Sequence, residues 1–229
     1  MSATDFENGD RYEVAYKDGK KHGSGMYIQG ERVTEGDSAD YRADGKGVRT
    51  WENGDRYEGD IKSGKMSGFG ILYHAAGKKY EGYWIADEPY GQGTTTFPDG
   101  TSCERFHRNG KIEERGKFWS PSGDEYEGDL LDNKAHGKGI RIWKNGDRYE
   151  GYFINDKKHG RGTYIYANGG TYDGLWQNDE MNGHGTLVWP SGTRYVGTFK
   201  DGKKHGRGVL TLSNGSVING FWENDVHKS

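Results

Sequence analysis

A 23-residue period runs through almost the whole chain, and no other feature restricts the possible folds so severely. Tyr57-Glu58-Gly59 returns as Tyr80-Glu81-Gly82, Tyr126-Glu127-Gly128 and Tyr149-Glu150-Gly151, with Tyr172-Asp173-Gly174 and Tyr195-Val196-Gly197 as variants. The doubled step between Tyr80 and Tyr126 holds Cys103-Glu104-Arg105, a degenerate copy. Thr34-Glu35-Gly36 and Tyr12-Glu13-Val14 extend the series backwards, the last with one residue lost. Ile218-Asn219-Gly220 extends it forwards. Nine full repeats therefore begin at residues 12, 34, 57, 80, 103, 126, 149, 172 and 195, with half-repeats at 6–11 and 218–225.

Two further signatures keep the same phase. A Gly-x-Gly follows nine residues after the first glycine, as in Gly68-Phe69-Gly70, Gly137-Lys138-Gly139 and Gly160-Arg161-Gly162. An Asn-Gly or its equivalent closes each unit, as in Asn53-Gly54 and Asn145-Gly146. Within a unit, Tyr149, Gly151 and Phe153 alternate with polar residues, as do Gly160, Gly162, Tyr164 and Tyr166, so each stretch reads as a strand with one aromatic face. The polar segment Asn155 to His159 between them predicts the hairpin turn, and the Asn-Gly segment turns the chain into the next unit. Gly-x-Gly removes two side chains from one face and predicts a slot for an aromatic ring.

The aromatic columns run in step. Four residues after each repeat start stand Tyr16, Trp84, Phe153, Trp176, Phe199 and Trp222, with Ile61 and Leu130 as aliphatic substitutes. Phe97, Trp143, Tyr166 and Trp189 form a second stripe at offset 17. One hairpin cannot bury its own face, so the repeats must stack. The expected fold is all-β: an elongated, twisted single-sheet solenoid, one array over 1–229, about 90 Å long for strands about 4.8 Å apart. Tyr57, Gly59, Gly68, Gly70, Trp84, Tyr149, Phe153, Trp176 and Phe199 are its structural positions.

Composition decides between this and disorder. Only 31% of residues are hydrophobic and 29% are charged, a balance typical of unfolded chains. Yet 14% are aromatic, including 7 Trp and 16 Tyr, and aromatic rings bury the most area per side chain. The 40 glycines against 4 prolines suit tight turns beside a narrow core. A net charge of -3 offers no electrostatic case for nucleic acid. Met1–Asp10 lacks the apolar core of a signal peptide, and no window approaches the roughly 18 apolar residues of a membrane helix. The single cysteine, Cys103, excludes an internal disulfide and fits a reducing compartment.

The pattern Tyr-Glu-Gly-x-Trp/Phe, His-Gly-x-Gly, Asn-Gly resembles the MORN repeat (membrane occupation and recognition nexus) over residues 6–225. The resemblance implies a single-sheet β solenoid. With no kinase, methyltransferase or membrane segment beside the repeats, it is most similar to the repeat-only cytoskeletal scaffolds of protozoan parasites. By that analogy the chain is expected to be a non-enzymatic, cytoplasmic, cytoskeleton-associated scaffold at the membrane periphery, binding other cytoskeletal proteins. Because Phe6-Glu7-Asn8-Gly9-Asp10-Arg11 matches Trp51-Glu52-Asn53-Gly54-Asp55-Arg56, the chain opens midway through a repeat. A fragment of a longer array is expected, the alternative being a natural half-repeat cap.

Four candidate sites follow. Cys103 and His107 share a strand face and are both good zinc ligands, so a two-fold dimer would assemble a four-ligand zinc site; the plainer reading is a small buried thiol beside a tolerated substitution. Lys20, Lys21, Lys65, Lys134, Lys157, Lys158, Lys203 and Lys204 collect at the turn and would form an edge for phosphoinositides or other anionic lipid, or else a solvated rim. His22, His136, His159 and His205 occupy one column and are expected at the turn, bonded to local backbone. Finally, Ile218, Phe221 and Trp222 lie in a half-repeat with no following strand, and that open edge predicts a homodimer through the C-terminal repeats. No catalytic motif and no cofactor other than zinc is suggested.

Overall fold

The computed structural model describes residues 46–51, 53–108 and 111–228 with their side chains, and residues 2–5, 11–17, 20–29, 32–39 and 42–45 as backbone strands. The chain forms two compact units, Met1–Glu113 and Glu114–Ser229. Among the described residues every regular element is a strand. The first unit holds β1 (Ser2–Asp5), β2 (Arg11–Lys17), β3 (Lys20–Gln29), β4 (Arg32–Ala39), β5 (Arg42–Thr50), β6 (Arg56–Lys62), β7 (Lys65–Tyr73), β8 (Lys79–Ile85), β9 (Glu88–Thr96) and β10 (Ser102–Arg108). Each pairs antiparallel with its chain neighbour. Most of β11 (Lys111–Trp119) belongs to the second, which continues with β12 (Glu125–Leu131), β13 (Lys134–Ile142), β14 (Arg148–Ile154), β15 (Lys157–Ile165), β16 (Thr171–Gln177), β17 (Glu180–Val188), β18 (Arg194–Lys200), β19 (Lys203–Thr211), β20 (Val217–Glu223) and β21 (Val226–Lys228), in the same meander. The fold is an all-β, single-sheet repeat solenoid.

Two kinds of turn account for the period. Inside a hairpin, two residues with positive φ join the strands: Asn155 (49°) and Asp156 (68°), Asn178 (51°) and Asp179 (75°), Asn224 (50°) and Asp225 (70°). This is the type I′ turn that suits the twist of paired strands, and Asn and Asp tolerate it best among residues with a Cβ. The expected turn, Asn155 to His159, is thus corrected to two residues; Lys157, Lys158 and His159 already belong to β15. Between hairpins the loop is a type I turn followed by a left-handed glycine. Gly146 donates to the Trp143 carbonyl at 2.8 Å, and Trp143 N–H donates to Asp147 O at 2.9 Å.

Both loop edges are stitched from one repeat to the next. The Asp156 carboxylate accepts the Ala135 N–H at 2.8 Å, and its own N–H returns a bond to the Ala135 carbonyl at 3.0 Å. Asp179 does the same for Lys158, and Asp225 for Lys204. On the other edge Asp55 accepts from Ala75 N–H and Asp147 from Ala167 N–H, each one repeat ahead. These bonds occupy backbone groups that the strand ladder leaves over, which isolated hairpins could not do.

The core lies on one face and its unit is a tyrosine over two glycines. The Tyr149 ring lies along its own strand, across Gly151 and the cross-strand Gly162, which are paired in register. A Cβ on either glycine would overlap that ring. The hydroxyl then donates to the Tyr152 carbonyl at 3.1 Å. Tyr57, Tyr126, Tyr172 and Tyr195 repeat the arrangement, donating to the carbonyls of Asp60, Asp129, Leu175 and Thr198. Burial pushes the Tyr149 phenol far above its ordinary pKa. The expected slot is real, but the two glycines of Gly-x-Gly do different work. The second clears the ring; the first, such as Gly160 with φ 62°, supplies a left-handed backbone at the bulge.

Ring edges then meet ring faces along each unit. Tyr149 contacts Phe153 at 5.1 Å and Trp176 at 5.4 Å between centroids, near perpendicular. Tyr172 and Tyr195 carry the contacts on through Phe199 to Trp222. In the first unit the series is Tyr57, Trp84, Tyr80 and His107. Each tryptophan of the column also donates its Nε1–H to the second glycine's carbonyl one hairpin earlier, Trp176 to Gly162 at 3.1 Å.

Candidate interaction surface

The aromatic face is closed by the chain itself. Tyr57, Tyr149, Tyr172 and Tyr195 are fully buried, and Phe153 and Phe199 nearly so. Partners are left the turn edges and the opposite face.

The lysine column divides in two. Lys65, Lys134, Lys157 and Lys203 open their strands and are exposed. Lys158 and Lys204 point the other way, onto the aromatic face. The Lys158 ammonium sits 4.8 Å from the Trp176 ring, 5.0 Å from Tyr164 and 5.2 Å from Trp143, with Asp179 at 3.7 Å. Lys204 lies 4.6 Å over Trp222, with Asp225 at 4.0 Å. Burial pulls the Lys158 pKa down, while Asp179 and the ring faces favour the ammonium. One continuous edge is therefore revised to a four-lysine edge and two caged lysines; the side chains of Lys20 and Lys21 lie outside the described residues. Where Ala135 leaves the cage short, Arg141 fills it, 5.4 Å over Phe153 and paired with Asp156 at 3.5 Å. Met181 stands opposite Gly202, so the apolar residue comes with no acid. Met66 does keep an acid, Asp87, in the next turn, and there Arg49 pairs with the carboxylate at 3.4 Å.

Cys103 and His107 do share the core face, at 4% and 8% exposure. His107 meets the edge of Tyr80 at 5.2 Å, filling the aromatic column. Burial raises the Cys103 thiol pKa against the opposing charge of Arg105, and burial followed by Arg105 lowers that of His107. Among the described residues no three His, Cys, Asp or Glu side chains gather as a metal site, and ligands this buried present little to a second copy. His136, His159 and His205 are corrected from turn to strand, in β13, β15 and β19; Nδ1 of His136 and of His205 is buried without a partner.

The open C-terminal edge is also corrected. β21 follows the half-repeat and pairs Phe221, Trp222 and Glu223 with Lys228, His227 and Val226. His227 covers Gly220, where Ile218 has replaced the tyrosine that would otherwise lie there. Trp222 belongs to the core at 3% exposure, whereas Phe221 is 51% exposed.

The face opposite the core was missed in the sequence, though the middle residue of Gly-x-Gly marks it. In the first unit it carries aromatic residues: Phe69 stands opposite Tyr83, with rings 5.5 Å apart, and Tyr83 stands opposite Tyr90. In the second unit it carries charge. Arg115, Lys138 and Arg161 form a basic row, and Glu127, Glu150 and Asp173 run beside it as an acidic one. Two shallow depressions lie between the rows, of 380 Å³ around Lys138 and Tyr152 and 430 Å³ around Arg161 and Leu175.

These features define a repeat solenoid with one self-filled face and one open face. The MORN repeat family model matches residues 15–30, 35–56, 57–79, 80–102, 108–125, 126–148, 149–171, 172–194 and 195–217, and the chain belongs to the MORN repeat family. That fold is typically non-catalytic, and no enzyme family is indicated. Among solved structures the chain is similar to the TCP10 domain of Danio rerio CPAP. A single-residue mutant of that domain gives a TM-score of 0.53 at 16% identity, covering 97% of this chain and 100% of that one. The wild-type domain gives 0.53 at 16% identity, covering 96% and 100%. No curated protein matches the chain. MORN repeats suggest a protein-interaction or membrane-associated repeat scaffold. No helix among the described residues is long and apolar enough to cross a membrane.

Proposed function

We propose that the chain is a non-enzymatic scaffold of the membrane-associated cytoskeleton, cytoplasmic, and self-associating as a homodimer through its C-terminal repeats. The observation that carries the scaffold reading is the closed aromatic face. Each repeat consumes the aromatic surface of its core face in stacking on the next, leaving an open second face to receive partners. Self-association draws on Val217, Phe221 and Val226, which are 62%, 51% and 58% exposed around the last strands. Chromatography with in-line light scattering tests this. Twice the monomer mass is expected for the full chain and the monomer mass for Phe221→Asp; a monomeric parent would remove the dimer.

A second reading is supported by Lys65, Lys134, Lys157 and Lys203, which recur exposed at one strand-opening position. Such an edge suits anionic headgroups. Sedimentation with phosphatidylserine vesicles would favour it if binding fell with salt and with charge reversal of these four lysines. Zinc at Cys103 and His107 would be supported by dimer loss on chelation and rejected by its persistence.

A further inference from the structure

We infer that the open face of the second unit is a docking track for one amphipathic helix with a heptad repeat, a proposal that rests on the scaffold reading. From β13 to β16 one line of residues crosses the strands on that face, and cation and apolar side chain alternate along it. Lys138 stands opposite Tyr152 and Arg161 opposite Leu175. Tyr152 and Leu175 are each 44% exposed, and the Arg161 side chain is 78% exposed, so the line is free to be covered. Strands lie about 4.8 Å apart, so the alternation has a half-period of about 4.8 Å. The seam of a heptad helix advances about 5.2 Å per seam residue at 1.5 Å rise, close enough to stay in step over three or four contacts. An extended peptide, at about 6.8 Å between side chains on one face, falls out of step at once.

The charges choose the helix further. The acidic row lies beside that line on the alternate strands, Glu150 and Asp173 standing two residues along from Tyr152 and Leu175, about 6.7 Å away, and opposite Ile140 and Thr163. Among the described residues Glu127, Glu150 and Asp173 are paired at the surface with Lys117 at 3.2 Å, Arg148 at 2.6 Å and Arg161 at 3.6 Å. Exposed pairs of this kind exchange readily for a better-shielded partner. A helix that alternates leucine and glutamate along its seam and carries lysine on the flank beside the acidic row answers both rows at once. A bilayer would answer only one of them, and it cannot enter the depressions between the rows.

The test uses the full chain and a synthetic peptide of about 21 residues, with Leu at a, Glu at d and Lys at g. Fluorescence anisotropy should show binding that weakens with salt. The double variant Lys138→Glu, Arg161→Glu should weaken it roughly tenfold. A peptide with Lys at d in place of Glu should bind that variant better than it binds the parent, a rescue that damage to the fold could not produce. Tyr152→Ser with Leu175→Ser should also weaken it roughly tenfold. Equal binding by a peptide of the same composition with permuted leucines overturns the proposal, as does no binding. Phosphatidylserine vesicles bound by the parent and lost in the charge variant, without peptide binding, assign the face to lipid instead. If light scattering still shows the dimer, the scaffold reading survives that failure.

Discussion

The repeat that starts at Tyr149 and the one that starts at Cys103 open with strands of the same seven-residue length, yet they solve the core differently. In the first, Tyr149 lies over Gly151 and reaches Phe153 beyond it. In the second, Cys103 has no ring to lay down, so the glycine is not needed and Arg105 stands opposite Gly93 in its place. His107 replaces the third member and still meets Tyr80 edge-on. In this repeat tyrosine and strand glycine are replaced together, whereas Thr34 and Ile218 stand before retained Gly36 and Gly220. The ring series of the first unit ends at His107, and the division between the two units falls within this repeat. The neighbouring Tyr80 marks the same irregularity: its hydroxyl is buried without a hydrogen-bond partner, and burial pushes its pKa up to about 12.

The sharpest way to break the comparison is to put a side chain under the ring. Gly162→Val should destabilise the second unit by about 3 kcal/mol, because Tyr149 must leave its slot, whereas Gly160→Ala should cost about 1–2 kcal/mol through its positive φ alone. Chemical denaturation monitored by tryptophan fluorescence would rank them; equal losses would mean that the two glycines are not distinct. Next in size is the exchange of one solution for the other. Cys103→Tyr alone should lose about 1–3 kcal/mol against Arg105, while Cys103→Tyr with Arg105→Gly should recover that loss and add stability. Additive single effects would sink the idea of a linked pair.

Smaller again is the caged lysine. Lys158→Met and Asp179→Gly reproduce the Met181 and Gly202 combination found one repeat later. A double-mutant cycle should give a coupling of about 0.5–1 kcal/mol, and none if the pair is only incidental. The smallest effect is on acid stability. The Asp147 carboxyl is held below the usual carboxylate range, first by the Tyr164 hydroxyl at 2.6 Å and next by the Ala167 N–H. Its folded pKa lies below the unfolded value of about 4, so its stabilisation is complete above that pH and is lost as pH falls through the folded value. Asp147→Asn should flatten the fall in Tm over that acid window by a few degrees, and an unchanged pH profile would deny the carboxylate its role.

Much of this architecture was legible from residue types. Tyr149, Gly151 and Phe153 share a face because strands alternate, and Gly162 had to be small because the rings needed room. Lys157 and Lys158 were not separable by the same means. Both are charged and adjacent, and the expected five-residue turn would have left both in water; the two-residue turn places Lys158 in the strand, facing the rings. Likewise Trp222 looked like an open end until β21 and His227 were seen against it. The open face escaped notice because one position changes from aromatic, as at Phe69, to basic, as at Arg161.

The sequence by itself determined the period, the alternation and the columns of tyrosine, glycine and tryptophan, since these follow from strand geometry and ring size within a single repeat. Only the tertiary structure decided which glycine bends the backbone, which lysine is covered and which aspartate answers it. Those properties depend on the hairpin that stacks next, and burial and hydrogen bonding belong to the pair of hairpins together.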